Sequence, residues 1–114
     1  MQSINRTGVI VRPKQLFVDW LNSLPDDDTN YTLERISTDN LTFLIPEYVS
    51  PDGAVDYIRK KHSLIFEWVL WGWITAEEYW PKKRNWKMFN DWFDLEVNSE
   101  VFDLVDGDIE KEDL

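Results

Sequence analysis

The sequence predicts an α+β fold in which a small antiparallel sheet of about three strands carries its helices on one side. Short β-branched runs alternate with longer segments whose apolar residues recur at helical spacing. Six of the seven tryptophans lie between residues 68 and 92, and 43% of the 114 residues are hydrophobic, which is enough for one core. We therefore expect a single globular domain over residues 1–104, followed by an acidic tail over residues 105–114.

The first strand is predicted at residues 8–12, a run rich in β-branched residues that ends at Pro13. A helix follows, with Pro13 in its first turn and a stop at Pro25. Its core face consists of apolar residues at helical spacing, namely Leu16, Phe17, Trp20, Leu21 and Leu24. The three aspartates at residues 26–28 then begin a polar loop, which we interpret as solvated.

Two further elements are predicted before the middle of the chain. Thr32 can cap a single helical turn over residues 33–36, because a threonine side chain accepts a hydrogen bond from the backbone of the first turn. Residues 41–48 then form a second strand, with Pro46 at its edge or its end, because proline donates no hydrogen bond to a ladder.

A long helix is predicted to start at Ser50, because this cap residue is followed by Pro51 and by an acid in the first turn. At a turn of about 100° per residue, one face of this helix is apolar and forms its core face. The core face consists of Ala54, Ile58, His62, Ile65, Val69 and Trp73. A second apolar row, the outer stripe, consists of Leu64, Trp68 and Trp71. This part of the helix is apolar almost all round, so we expect the outer stripe to contact the rest of the chain or a partner.

After a break at Gly72, Thr75 and Glu78 have the form of a capping box that starts a short helix, closed at Pro81. Asn85 is predicted to cap a last helix, whose apolar face consists of Trp86, Phe89, Trp92 and Phe93. A final strand or hairpin is predicted from Leu95, Val97, Val101, Phe102 and Leu104. Three tryptophans lie on the main apolar stripes and are expected in the core, namely Trp20, Trp73 and Trp92.

Several short motifs are distributed over residues 9–104. They are Val11-Arg12-Pro13-Lys14-Gln15, Asp19-Trp20-Leu21-Asn22, Phe43-Leu44-Ile45-Pro46-Glu47, Trp80-Pro81, Trp92-Phe93 and Phe102-Asp103-Leu104. In these motifs the chain resembles a group of small acidic, uncharacterised bacterial proteins. The resemblance implies a bacterial or bacteriophage origin, and it implies no activity, cofactor or site residue.

The net charge of −10 is concentrated near the end of the sequence. Residues 94–114 contain nine acids and one lysine, a charge of −8, whereas the first 93 residues carry −2. Such a field repels a phosphate backbone and attracts cationic partners over a Debye length of about 8 Å. We therefore expect no direct duplex nucleic-acid binding and a basic protein as the partner, bound in part by Asp103, Asp106, Asp108 and Glu110.

Other features bear on the cellular compartment. The chain has no cysteine, which excludes disulfides and thiolate metal sites and fits a reducing compartment. The first residues lack the apolar core of a signal peptide. The longest apolar run, residues 64–74, is about half the roughly 20 residues that a membrane span requires. We expect a cytoplasmic protein without membrane contact.

Residues that could carry chemistry are few. His62 is the single histidine and is expected to be a hydrogen-bonded core residue, while Ser63 points to another face of the helix. Residues 80–86 interleave basic and aromatic side chains that could stack bases, although such tryptophans more often anchor a turn in the core. We predict no catalytic, cofactor-binding or metal-binding residue.

These observations favour a non-catalytic, acidic protein–protein interaction module, with an inhibitor or nucleic-acid mimic as its most specific form. Leu64, Trp68 and Trp71 join the four acids as expected partner-binding residues. One alternative is a small-molecule binder or enzyme with an aromatic pocket near Trp68, Trp71 and Trp80, using His62 or a carboxylate as its polar group. Another is a self-associating structural protein, for instance a homodimer joined through the outer stripe.

Overall fold

The structure is a computed structural model that describes residues 1–25 and 29–114. The strands are β1 (Gln2–Ile4), β2 (Arg6–Pro13), β3 (Leu41–Pro46), β4 (Phe93–Asn98) and β5 (Val101–Asp103). The helices are α1 (Gln15–Ser23), α2 (Leu33–Ile36), α3 (Pro51–Trp71) and α4 (Trp86–Trp92), with a 3₁₀ turn at Glu77–Tyr79. The predicted α+β class is confirmed. The aspartates at 26–28, predicted to begin a polar loop, lie outside the described residues.

The main sheet is antiparallel, with strand order β3-β2-β4. Val9 in β2 lies opposite Phe43 on one side and Val97 on the other. A second ladder joins β1 to β5, where Ser3 lies opposite Phe102. Strand β1 is not predicted from the sequence, because its three residues include only one β-branched residue and its pairing partner is about a hundred residues away. The second strand also ends at Pro46 rather than at residue 48.

The two faces of the main sheet differ in burial. Val9, Val11 and Ile45 are buried, and they point to the face on which the helices pack. The opposite face carries charged residues, and the Arg12 guanidinium lies 3.3 Å from the Glu96 carboxylate there. The alternation follows from the two-residue period of a strand that has one face on the core.

The centre of the core is aromatic. Phe17, Phe66 and Phe89 are fully buried, and their ring centroids lie 5.4, 5.1 and 5.2 Å from that of Phe93. Such separations allow the tilted and edge-to-face contacts that aromatic rings prefer. Phe93 was predicted on the face of α4, but it is the first residue of β4. It is buried all the same, because the chain turns directly from helix into strand beside the core.

Two of the predicted helix caps are confirmed. Thr32 Oγ1 accepts a hydrogen bond from the Arg35 backbone N–H at 3.3 Å, and Asn85 Oδ1 accepts one from the Met88 N–H at 2.8 Å. The predicted capping box at Thr75 is wrong, because the segment forms a 3₁₀ turn whose N-cap is Ala76 and whose cap makes no side-chain hydrogen bond.

The three tryptophans predicted in the core differ in burial. Trp92 is buried and Trp20 is partly buried against the core, whereas Trp73 is 40% exposed and its assignment to the core is wrong. The physical reason is that α3 ends at Trp71, and the backbone N–H groups of Trp73 and Ile74 both donate to the Leu70 carbonyl. The helical spacing that placed Trp73 on the core stripe therefore does not extend to it. In α1, Leu16 is also exposed, because the helix buries Phe17, Val18 and Leu21 instead.

Candidate protein-binding groove

Helix α3 has two apolar faces with different surroundings. Its inner face buries six residues against the sheet and the other helices: Ala54, Ile58, Ile65, Phe66, Val69 and Leu70. In the outer stripe, Leu64 is 52% exposed, Trp68 36% and Trp71 49%. The described residues of the chain therefore leave the outer stripe largely uncovered. Of the two contacts expected for the stripe, with the rest of the chain or with a partner, the contact with a partner is the one that this exposure favours.

Trp80 forms the second wall beside the outer stripe. Its indole N–H donates a hydrogen bond to the Ile74 carbonyl at 2.9 Å, and its side chain is buried. The Arg84 guanidinium lies 6.0 Å from the centre of the Trp80 ring. The side chains enclose a shallow groove of about 230 Å³, which we call the outer groove, lined by Leu64, Glu67, Trp68, Trp71, Glu77 and Trp80. The structure thus brings together the three tryptophans that the sequence suggested for an aromatic pocket.

Arg84 fixes the position of the loop that follows Trp80. Its guanidinium donates to the Pro81 carbonyl at 2.7 Å and to the Glu67 carboxylate at 3.0 Å. The Trp86 ring is stacked on Phe89 with centroids 5.5 Å apart. Both tryptophans and one of the three basic residues in residues 80–86 therefore pack against the protein, as expected of a loop anchored in the core.

His62 does not line the outer groove. Its Nδ1 is 2.6 Å from the Arg59 carbonyl oxygen and its Nε2 is 3.2 Å from the Arg84 carbonyl oxygen. The imidazole ring also makes edge contacts with the rings of Trp86 and Phe89. His62 is hydrogen-bonded, as predicted, although it is only partly buried. The polar groups that do line the groove are carboxylates.

Negative charge borders the outer groove on two sides. On one side, Glu67 is paired with Arg84, whereas Glu77 has no ion-pair partner among the described parts of the chain. On the other side, Trp68 shares a depression of about 470 Å³ with the start of β3 and with the end of the tail, lined by Leu41, Thr42, Phe43, Glu112, Asp113 and Leu114. Carboxylates without an ion pair among the described residues therefore lie near the groove on both sides.

The four acids singled out from the sequence lie elsewhere. Asp103 is in β5 opposite Gln2, and its carboxylate accepts a hydrogen bond from the Val105 N–H at 2.9 Å. Asp108 shares a separate depression with Asp103 and β1, and Asp106 and Glu110 are exposed. None of the four lines the outer groove. The acids that approach its edge are Glu112 and Asp113, which no local signal could have placed beside a tryptophan 44 residues earlier in the chain.

Within residues 1–25 and 29–114, no group of three or more histidine, aspartate or glutamate side chains is arranged to hold a metal ion. None of the helices in this part of the chain combines the length and the apolarity needed to cross a bilayer. Comparison of the chain with protein-family models, with curated proteins and with solved structures gives no match.

Proposed function

We propose that the protein is a non-catalytic, acidic interaction module that binds a basic surface of a partner protein. An inhibitor or nucleic-acid mimic is its most specific form. The observation that carries the proposal is the uncovered outer stripe with carboxylates at its borders. Burying apolar surface contributes about 25 cal/mol per Å², so an apolar row left in water favours association. The surrounding charge selects a cationic partner and accelerates its encounter.

The charge distribution favours a basic partner over a second copy of the chain. In a homodimer through the outer groove, Glu77, Glu112 and Asp113 of one copy would approach the same acids of the other. Each copy also carries a net charge of −10. Like charges brought together across an interface cost several kcal/mol when they lose water. A basic surface converts the same carboxylates into a source of attraction.

The shape of the groove favours a protein partner over a small substrate. Its volume of about 230 Å³ lies below the roughly 300 to 1,000 Å³ of typical ligand pockets, and its apolar residues are broadly exposed. Of its two carboxylates, Glu67 is already paired with Arg84. His62, the other candidate polar group for a pocket, does not line the groove, and its ring nitrogens contact the Arg59 and Arg84 carbonyls. An exposed apolar row with a charged border is typical of a protein interface.

The proposal is tested by identifying a partner and then measuring the salt dependence of its affinity. Partners are captured from bacterial extract at low salt, and the dissociation constant of a purified partner is then measured at several salt concentrations. A variant that we call the tail variant changes Asp103 in β5, together with Asp106, Asp108 and Glu110 in the tail, to Asn or Gln. The control variant removes the same charge from the body through Glu34→Gln, Asp39→Asn, Glu47→Gln and Asp52→Asn, all at exposed positions.

We expect the tail variant to weaken binding about tenfold at low salt and to flatten the salt dependence, with a smaller effect of the control variant. The melting temperature of the tail variant should stay within a few degrees of wild type, because three of the four side chains are exposed. The proposal would be ruled out if the captured partners had no basic surface. It would also be ruled out if the affinity changed neither with salt concentration nor in the tail variant.

A further inference from the structure

We infer that the occupant of the outer groove is a basic amphipathic helix of the partner, seated along α3. This inference rests on the proposed function and specifies where, and in what conformation, the partner is bound. It starts from the row Leu64, Trp68 and Trp71, which occupies positions i, i+4 and i+7 of α3. At about 1.5 Å per residue, the row extends roughly 10 Å along the helix, the length over which a second helix presents its own i, i+4 and i+7 positions.

The groove has the walls that a helix ridge requires. One wall is α3, and the other is formed by Trp80 and the 3₁₀ turn that contains Glu77. Trp80 is held by the 2.9 Å hydrogen bond to Ile74 and by the guanidinium above its ring, so this wall does not have to form on binding. Side chains of a partner helix pack between such walls as ridges into a groove, with interaxial distances of about 8 to 10 Å.

The carboxylates beside the outer groove indicate which residues a partner helix would carry on its flanks. Glu77 lies at one side of the groove without an ion-pair partner among the described residues, and Glu112 and Asp113 lie beyond Trp68 at the other side. A helix with an apolar stripe facing Leu64 and Trp71 would therefore gain from lysine or arginine on both sides of its stripe.

An extended segment added to the edge of the sheet is the competing arrangement. Strand β3 is at the edge of the main sheet, and its residues Leu41, Thr42 and Phe43 lie beside Trp68. Residues 112–114 of the chain itself already lie beside that edge. The tail does not line the outer groove and reaches only its Trp68 edge, and the three apolar side chains of the outer stripe remain between 36% and 52% exposed. The helix in the groove is thus the arrangement that the structure favours.

The inference is tested with synthetic peptides of about 15 residues, near the length at which an isolated helix is marginal in water. The first peptide has leucines at helical spacing and lysines on both flanks of the stripe. A second peptide has the same composition in scrambled order. Affinity is measured by fluorescence anisotropy of a dye on each peptide, and helix content by circular dichroism of the mixture and of the separate components.

The protein variants are matched by exposure. Leu64→Glu changes a residue of the groove that is 52% exposed, and the control Leu44→Glu changes a residue of β3 that is 48% exposed on the opposite face of the sheet. Leu64→Ala serves as a second variant that introduces no charge. Melting temperatures of all three variants establish that the fold is retained.

We expect wild type to bind the periodic peptide about tenfold or more tightly than the scrambled one, with a gain of helix on mixing. Leu64→Glu should weaken this binding by at least about tenfold and Leu64→Ala by a smaller factor, while Leu44→Glu stays within about twofold.

Equal effects of Leu64→Glu and Leu44→Glu, or binding without a gain of helix, would overturn the inference. If the tail variant alone lost binding, the proposed function would stand and the groove assignment would fail. If neither peptide bound at any salt concentration and capture also gave no basic partner, both would fail.

Discussion

Leu64 and Ile65 are neighbours in the same helix and similar in hydrophobicity, yet Leu64 is 52% exposed and Ile65 is 5% exposed. The difference arises from the helical phase alone, because a step of one residue turns the side chain by about 100°. Ile65 faces the sheet and the other helices, whereas Leu64 faces the outer groove. The comparison shows that composition identifies the second half of α3, residues 64–71, as unusually apolar, and that only the helical phase separates its buried residues from its exposed ones.

The largest expected difference between the two faces is in stability. Phe66 is fully buried and contacts the rings of Phe89, Trp92 and Phe93, so Phe66→Ala should lower the free energy of unfolding by about 3 to 5 kcal/mol. Trp71→Ala, on the outer stripe, should lower it by less than about 1 kcal/mol despite the larger side chain. Urea unfolding followed by far-ultraviolet circular dichroism measures both, and similar losses would mean that the faces are not distinct.

A smaller effect is expected at Trp80, the second wall of the outer groove. Trp80→Phe removes the N–H that donates to the Ile74 carbonyl while keeping an aromatic ring, and it should lower the free energy of unfolding by about 1 to 2 kcal/mol. Trp86→Phe is the control, because Trp86 stacks on Phe89 and its indole N–H has no hydrogen-bond partner among the described residues. Thermal unfolding compares them; an equal or larger loss in the control would show that the Trp80 hydrogen bond does not stabilise the wall.

The N-terminal cap of α4 should affect the stability of the core. Asn85→Ala removes the side-chain acceptor for the Met88 N–H and should cost about 1 kcal/mol, because α4 carries the core residues Phe89 and Trp92. Asn85→Asp keeps an acceptor at the N-terminus of the helix and should cost less. Chemical unfolding distinguishes the two variants, and an equal cost for both would show that the cap hydrogen bond is not the source.

The smallest effect is expected at the end of the chain. After Asp103 the described residues form no helix or strand, and residues 104–114 are exposed. Deleting residues 105–114 should therefore leave the melting temperature within a few degrees of wild type. A large decrease on calorimetry would mean that the tail stabilises the fold, for instance through the depression that its end shares with Trp68.

Several local patterns in the sequence were sufficient, although the capping box predicted at Thr75 was not. The caps Thr32 and Asn85 and the outer stripe of α3 depend on spacings of three to seven residues, and each is found where the spacing predicts it. The limits of α3 agree with the predicted start at Ser50 and the predicted break at Gly72, and the error was to extend its core face across that break. Trp73 continues the apolar spacing, but the helix ends two residues before it, so its side chain lies partly in solvent.

Features that depend on distant parts of the chain could not be predicted. Strand β1 exists because residues 2–4 pair with β5, and Phe93 is buried because a helix changes directly into a strand beside three phenylalanines. The position of Glu112 and Asp113 beside Trp68 depends on the path of the tail, for which the sequence has no periodic signal. The sequence predicted an apolar stripe and an acidic segment, and their approach is a property of the tertiary structure.

The central claim is that one face of α3 folds the protein and the other binds a partner. The most direct measurement is a pair of alanine variants at the neighbouring residues Leu64 and Ile65, each assayed for unfolding free energy and for affinity to the basic periodic peptide. We expect Ile65→Ala to cost about 2 to 5 kcal/mol of stability with near-normal affinity in the folded protein. Leu64→Ala should cost less than about 1 kcal/mol and weaken binding severalfold. Equal losses of stability, or an affinity that does not depend on Leu64, would contradict the claim.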